Sequence, residues 1–246
     1  MVTIHLIPAM GHDKELFRTL IEICDETFKV ITHNYPQELS EQDDTLEFLA
    51  QYFSKEIRKT NHLNEKYILL GVSLGASLCL RINEILENEA ENLFLLATGG
   101  PRVARIRKEM ILNALKESQE KDFVKRMLSL DSEENFLSHF CENQDSAAAY
   151  YAYLAKSWEN ATEQVLKQFI DLSKAAIEID YEHLLSHFQS KIIILWGDKD
   201  KVFSKRNLSK IIDCAPEATI VRFKNFGHYL PIEAPQEVIK IVSNYV

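Results

Sequence analysis

Short runs of β-branched and aliphatic residues alternate along this chain with longer segments whose apolar positions recur at helical spacing, and that alternation admits few folds. Strands buried on both faces read as continuous apolar runs, and parallel strands need long crossover connections, usually helices. The apolar runs fall at 2–7, 28–33, 67–71, 92–97, 191–196 and 219–223. Over 14–25, Leu16, Phe17, Leu20, Ile21 and Ile23 form a helix-like stripe. Over 43–59, Leu46, Leu49, Phe53 and Ile57 do the same, with Asp43 or Asp44 available as N-cap. A chain of 246 residues, 46% hydrophobic, is long enough to bury one large core. The pattern therefore predicts one α/β unit of about six mostly parallel strands flanked by helices.

One block breaks the rhythm. From 101 to 188 no strand pattern occurs, only charged amphipathic segments at 103–118, 122–130, 133–141, 145–157 and 162–176. No Pro or Gly stands between Pro101 and Gly197, so the block lacks linker punctuation. It is expected to pack as a compact helical cap inserted after the fourth strand, leaving 1–100 and 189–246 as the core.

Charge and composition exclude several functions. Lys plus Arg number 28 against 37 Asp plus Glu, a formal charge of −9, whereas phosphate contacts to nucleic acid need a basic face. The first residues show no basic stretch ahead of an apolar one and no small-residue cleavage site, and no segment reaches the roughly 18 apolar residues of a membrane span. Cys24, Cys79, Cys141 and Cys214 are scattered without metal-type spacing, which fits reduced thiols and a cytoplasmic location. No metal and no organic cofactor is implied.

The chemistry-bearing motif follows the third apolar run: Gly71-Val72-Ser73-Leu74-Gly75, then a helix-like stretch. In a tight strand-turn-helix, side chains two positions either side of the serine would collide, so glycine is needed at both, and the hydroxyl stands free. A serine hydroxyl is a weak nucleophile at neutral pH. It needs a base within hydrogen-bond reach, an acid to orient the base, and donors for the oxyanion. The fifth run ends in Trp196-Gly197-Asp198-Lys199-Asp200, a loop with two carboxylates, either of which can be the acid. After the last run, and just before the final helix, stands Gly227-His228, the best placed base among eight histidines.

These residues resemble an α/β-hydrolase of the capped esterase type. The order serine, acid, histidine matches, and Trp-Gly-x-x-Asp and Gly-His-x-x-x-x-Glu-x-Pro are similar to that family's acid and histidine loops. The resemblance covers essentially the whole chain. It implies Ser73 as nucleophile, His228 as base and Asp200 as acid, with Asp198 as a nearby competitor suited to forming the turn. It implies an oxyanion hole made by the backbone N–H of Leu74 and of Met10, in a loop where Pro8-Ala9 stand in place of the usual His-Gly. His12, in the same loop, is a candidate pocket residue, although a polar loop residue is the commoner case. The family's opening antiparallel hairpin is absent, so the sheet should run 4-3-5-6-7-8 in the family's count, with Ser73 at the switch in strand order. The loop after the second strand, 34–40, lacks the glycines often found in relatives.

The activity implied is hydrolysis of a carboxylic ester or thioester in a small-molecule or acyl-chain substrate through an acyl-enzyme on Ser73. Acyl transfer or carbon-carbon bond hydrolysis with the same triad, and a ligand-binding receptor on the same fold, are the alternatives. In the cap, Phe123, Met127, Leu128, Phe136, Phe140, Tyr150, Tyr151, Tyr153, Leu154 and Trp158 supply apolar surface for an acyl chain or, more commonly at such spacing, for the cap's own core. The cluster Arg102, Arg105, Arg107 and Lys108 suits a substrate carboxylate or an acidic acyl-carrier protein, as in the pimeloyl-carrier-protein methyl esterases with a similar cap. The plainer reading is a solvated helix face with Glu109 and Glu117 nearby.

Overall fold

A computed structural model describes residues 2–24, 28–36, 39, 44–61, 65–142 and 144–245, and at 144–146 the backbone alone. Its centre is a six-stranded sheet built from β1 (Val2–Ile7), β2 (Phe28–Thr32), β3 (Tyr67–Val72), β4 (Leu93–Leu96), β5 (Ile192–Gly197) and β6 (Thr219–Phe223). All pairings are parallel and the spatial order is β2-β1-β3-β4-β5-β6, the expected one. The chain winds outward one way from β1 and the other way from β3, so their C-terminal ends flank the switch in strand order.

Every residue of β3, β4 and β5 is buried, whereas the edge strand β2 is half-buried throughout, which is why the central strands read as unbroken apolar runs. Side chains alternate between two cores. Ile68, Leu70, Phe94, Ile193 and Leu195 face one, with Val238 and Val242 of α12 (Pro235–Ser243). Leu69, Leu93, Leu95, Ile192, Ile194 and Trp196 face the other, with α2 (Thr45–Thr60) and α3 (Leu74–Ile85).

Asp44 caps α2, its carboxylate accepting from Glu47 N at 3.0 Å; the alternative, Asp43, lies outside the described residues. The helix expected over 14–25 divides into a 3-10 turn, Lys14–Phe17, capped by Asp13, and α1 (Arg18–Ile23). Phe17, at φ −105° and ψ 4°, leaves the helical region between them.

Between β4 and β5 lie α4 (Arg105–Glu117), α5 (Glu120–Met127), α6 (Glu133–Phe140), α7 (Gln144–Glu159) and α8 (Glu163–Ala176). The chain enters and leaves this block side by side: Tyr181 N donates to Pro101 O at 2.9 Å, and Arg102 and Asp180 form an antiparallel bridge. Beyond that neck, α9 (Glu182–Phe188) is a short helix absent from the sequence expectation. It packs on α3 and on α10 (Lys205–Cys214), and Leu184, Leu185 and Phe188 join the sheet's second core.

Two histidines are buried beside the sheet. His5 Nδ1 and His33 Nε2 are 2.9 Å apart, and His5 Nε2 lies 3.3 Å from Asn61 Oδ1. Burial, followed by the mutual repulsion of two imidazolium charges, lowers the His5 pKa to about 3; burial lowers that of His33 to about 4. The native state therefore keeps both neutral while the unfolded chain protonates them below about pH 6.5. Since the unfolded state then binds more protons, stability falls as pH falls from about 6.5 toward 4. Urea unfolding between pH 7.5 and 5 should show this slope, and His33→Gln should make it shallower. An unfolding free energy that is flat across that range would contradict the neutral pair.

Candidate active site

β3 passes into α3 through one residue, Ser73, at φ 55° and ψ −114°. For a non-glycine residue this region costs roughly 1–3 kcal/mol and persists only when neighbours enforce it. Ser73 N donates to Leu96 O at 2.9 Å, extending the β3–β4 ladder, while Ser73 O already accepts from Ser77 N at 3.3 Å, opening the helix. A Cβ on Gly71 would strike the Gly75 carbonyl, and one on Gly75 would strike Ile7 O and, at 2.5 Å, Pro8 O. The two glycines thus let the helix start close over the strand and over the loop leaving β1.

That loop carries Met10. The next residue, Gly11, has φ 78°, and the Phe169 ring of α8 fills the space where its side chain would be. Trp158 Nε1 donates to Gly11 O at 3.2 Å, and Ser173 Oγ approaches Met10 Sδ at 3.6 Å. Met10, Ser73 and Leu74 share the wall of a cavity of about 80 Å³ with Gly99, Val103 and Ile111, among others. The N–H groups of a helix's first turn lack intrahelical partners, which makes Leu74 N a ready donor.

Asp200 and His228 come together at the ends of β5 and β6. His228 Nδ1 and Asp200 Oδ2 are 2.8 Å apart, with side-chain exposures of 2% and 0%. The second oxygen, Oδ1, accepts from Val202 N at 2.8 Å and Phe203 N at 2.9 Å, so the carboxylate's orientation is fixed by backbone. Asp198 is engaged elsewhere: its Oδ1 accepts from Arg222 Nε and lies 2.8 Å from Arg222 Nη2.

The histidine loop is held from three sides. Gly197 lies directly against the Gly227 carbonyl, leaving no room for a side chain. His228 N donates to Phe140 O at 2.7 Å, a bond to α6. The buried Glu233 accepts from Gly227 N at 2.9 Å and from Glu142 N at 2.6 Å. Glu233 belongs to the histidine-loop phrase in the sequence, but its role as a tie to the 140–142 backbone had no sequence signal.

With Nδ1 on Asp200, Nε2 is the nitrogen left for proton exchange. No hydrogen bond among the described residues joins Ser73 Oγ to His228. The two are linked through Phe203, whose ring borders the Ser73 cavity and lies 5.4 Å, centroid to centroid, from the His228 ring. Bonds of this kind are often long without substrate and tighten when it binds.

His12 is not among the cavity's lining residues. It is buried, with Nδ1 2.5 Å from Tyr150 OH of α7 and Nε2 2.8 Å from Tyr229 OH, next to His228. Burial, and secondarily the nearby His228, lower its pKa to about 3, so it is a neutral bridge with one donor and one acceptor nitrogen. Of the apolar cap residues named from sequence, Met127 reaches the Ser73 cavity. Phe123, Phe136, Tyr150 and Trp158 pack into the core beneath.

The profile of the alpha/beta hydrolase fold family matches residues 3–235. No curated protein matches the chain by sequence. Among solved structures, the chain is similar to MGS-M2, an alpha/beta hydrolase enzyme from a Medee basin deep-sea metagenome library, with TM-score 0.79 and 13% identity over 99% of this chain and 88% of that one. It is similar to an esterase from Exiguobacterium antarcticum, with TM-score 0.77 and 14% identity over 100% and 91% of the two chains. A thermophilic esterase from Thermogutta terrifontis gives TM-score 0.75 and 16% identity over 100% and 89%. With the family profile spanning nearly its whole length, the chain belongs to the alpha/beta hydrolase fold family.

Proposed function

We propose that this protein is a serine hydrolase that cleaves a carboxylic ester or thioester of a small-molecule substrate through an acyl-enzyme on Ser73. The observation that carries the reading is the buried Asp200–His228 pair at 2.8 Å, set at the same sheet edge as a serine at φ 55°. Ser73 Oγ attacks the carbonyl carbon and passes its proton to His228 Nε2, while Asp200 stabilises the imidazolium through Nδ1. The oxyanion is received by the N–H groups of Leu74 and Met10, an arrangement worth roughly 10²–10³ in rate for each donor in comparable sites. His228 returns the proton to the leaving alcohol or thiol. Water, deprotonated by the same imidazole, then attacks the acyl-enzyme and releases the acid.

Two features favour a small-molecule substrate over one borne on an acidic carrier protein. The cavity beside Ser73 is small, and most of the basic cluster near it is already matched by carboxylates of the chain itself: Arg102 by Asp180 and Glu182, Arg105 by Glu109, Lys108 by Glu178. Exposed pairs of this kind add little stability, but they reduce the field that this short stretch could offer an acidic partner.

Ser73→Ala should reduce p-nitrophenyl ester hydrolysis to background with the melting temperature preserved, because alanine keeps the same backbone conformation and no hydrogen bond of the Ser73 hydroxyl is lost among the described residues. A Ser73→Ala protein that still turns over would overturn the reading. The two loop carboxylates provide a second, sharper test. Asp200→Asn should lower kcat by about 10³–10⁴, since the imidazole loses its tautomer and its counter-charge. Asp198→Asn, which only releases Arg222, should stay within a few-fold of the parent. Equal losses from both substitutions would exclude Asp200 as the orienting acid.

A further inference from the structure

Within the basic cluster one cation behaves unlike its neighbours. Arg107 has no carboxylate within ion-pair distance among the described residues. Instead its Nη1 donates to Val202 O at 2.7 Å, and its Cζ sits 4.9 Å from the centre of the Phe203 ring. Burial lowers its pKa and the charge of Asp200 offsets part of that effect, but a guanidinium stays protonated under such conditions. Placing a half-buried cation without a paired anion is costly unless something completes it.

The cavity it faces supplies the context. Arg107 is the one charged side chain among the described residues lining the Ser73 cavity, whose other walls are apolar, glycine or serine. Arg107 also lines an adjoining groove of about 940 Å³, where Arg126, Lys201, Arg206 and Lys210 face a single carboxylate, Glu117. In a chain of net charge −9 this is a local reversal of sign, in a groove that shares Arg107, Met127 and Phe203 with the Ser73 cavity. With Nη1 engaged by one carbonyl, the guanidinium retains donors arranged to grip a carboxylate in bidentate fashion.

We propose that Arg107 is a specificity-determining residue that binds a carboxylate carried by the ester substrate, so that esters with a free carboxylate are preferred over their neutral counterparts. This rests on Ser73 being the nucleophile. The carboxylate has two possible positions, on the acyl side as in a half-ester of a dicarboxylic acid, or on the alcohol side.

Two matched pairs separate the positions. On the acyl side, the p-nitrophenyl half-ester of adipic acid is compared with p-nitrophenyl hexanoate; on the alcohol side, 4-carboxyphenyl hexanoate with 4-carbamoylphenyl hexanoate. In one of the two pairs kcat/KM should favour the carboxylate member by about tenfold or more, the scale of a hydrogen-bonded charge pair. Arg107→Gln should lower that ratio by a similar factor, mainly through KM, and Arg107→Lys should restore it in part. Lys116→Gln, the same loss of charge on the outside of α4, should leave the ratio unchanged. Ratios near or below one in both pairs, or ratios indifferent to Arg107→Gln, overturn the proposal. If no ester is turned over, the reading of Ser73 fails, yet Arg107 can still be judged by calorimetry with two pairs of non-hydrolysable amides, adipamate against hexanamide and N-(4-carboxyphenyl)hexanamide against N-(4-carbamoylphenyl)hexanamide. Tighter binding of the carboxylate member in one pair, weakened about tenfold or more by Arg107→Gln, supports the carboxylate site; equal affinity within both pairs refutes it.

Discussion

The structure turns on the near-contact of two backbone segments at Gly75. Ile7 and Pro8 at the end of β1 and the first turn of α3 approach so closely that a single Cβ there has no space. This contact sets the loop carrying Met10 beside the N-terminus of α3 and forces the intervening residue, Ser73, to φ 55°. Strain of that kind is maintained by the surrounding sheet: β3 is buried along its length and hydrogen-bonded to β1 on one side and β4 on the other. The proposed nucleophile and the proposed donor at Leu74 are therefore positioned by the core itself, whereas the loop of Met10 is held by the core on one side and by the cap on the other.

The other half of the site depends on loops meeting loops. Gly197 and Gly227 abut, which brings the end of β5 to the histidine, and two backbone N–H groups orient Asp200 so that its free oxygen meets His228. The cap then adds its own constraints. Phe140 O holds the His228 backbone, and His12 bridges Tyr150 of α7 to Tyr229. Trp158 and Phe169 close over Gly11. Each of these ties runs from the inserted helices to a loop beside the candidate catalytic residues, so cap packing and site geometry are mechanically joined.

The strands were legible because burial on both faces leaves continuous apolar runs, and their parallel order followed from helical crossovers between them. The two glycines around Ser73 were legible because their necessity is local, confined to one turn. What was not legible depends on partners far apart in the chain. Between Asp198 and Asp200 only the family resemblance favoured the second; the physical reason that separates them is Arg222, on the neighbouring strand, taking the first while His228 meets the second. His12 has partners 138 and 217 residues away, so as a sequence feature it was only a polar loop residue. Arg107 sits among other cations in one short stretch, and only the rotation of α4 on its neighbours turns it toward the cavity. The short helix α9 spans too few residues to display a helical period and was read as part of the cap.

The proposed mechanism forms a covalent bond at one strained serine, and that bond can be seen directly. Rapid-quench mass spectrometry of the protein during turnover of a p-nitrophenyl ester should show an adduct of the acyl mass, mapping to the peptide that contains Ser73 and decaying as substrate is exhausted. An adduct on any other residue, or turnover through a nucleophilic water with no acylated protein even under conditions that slow deacylation, would contradict it.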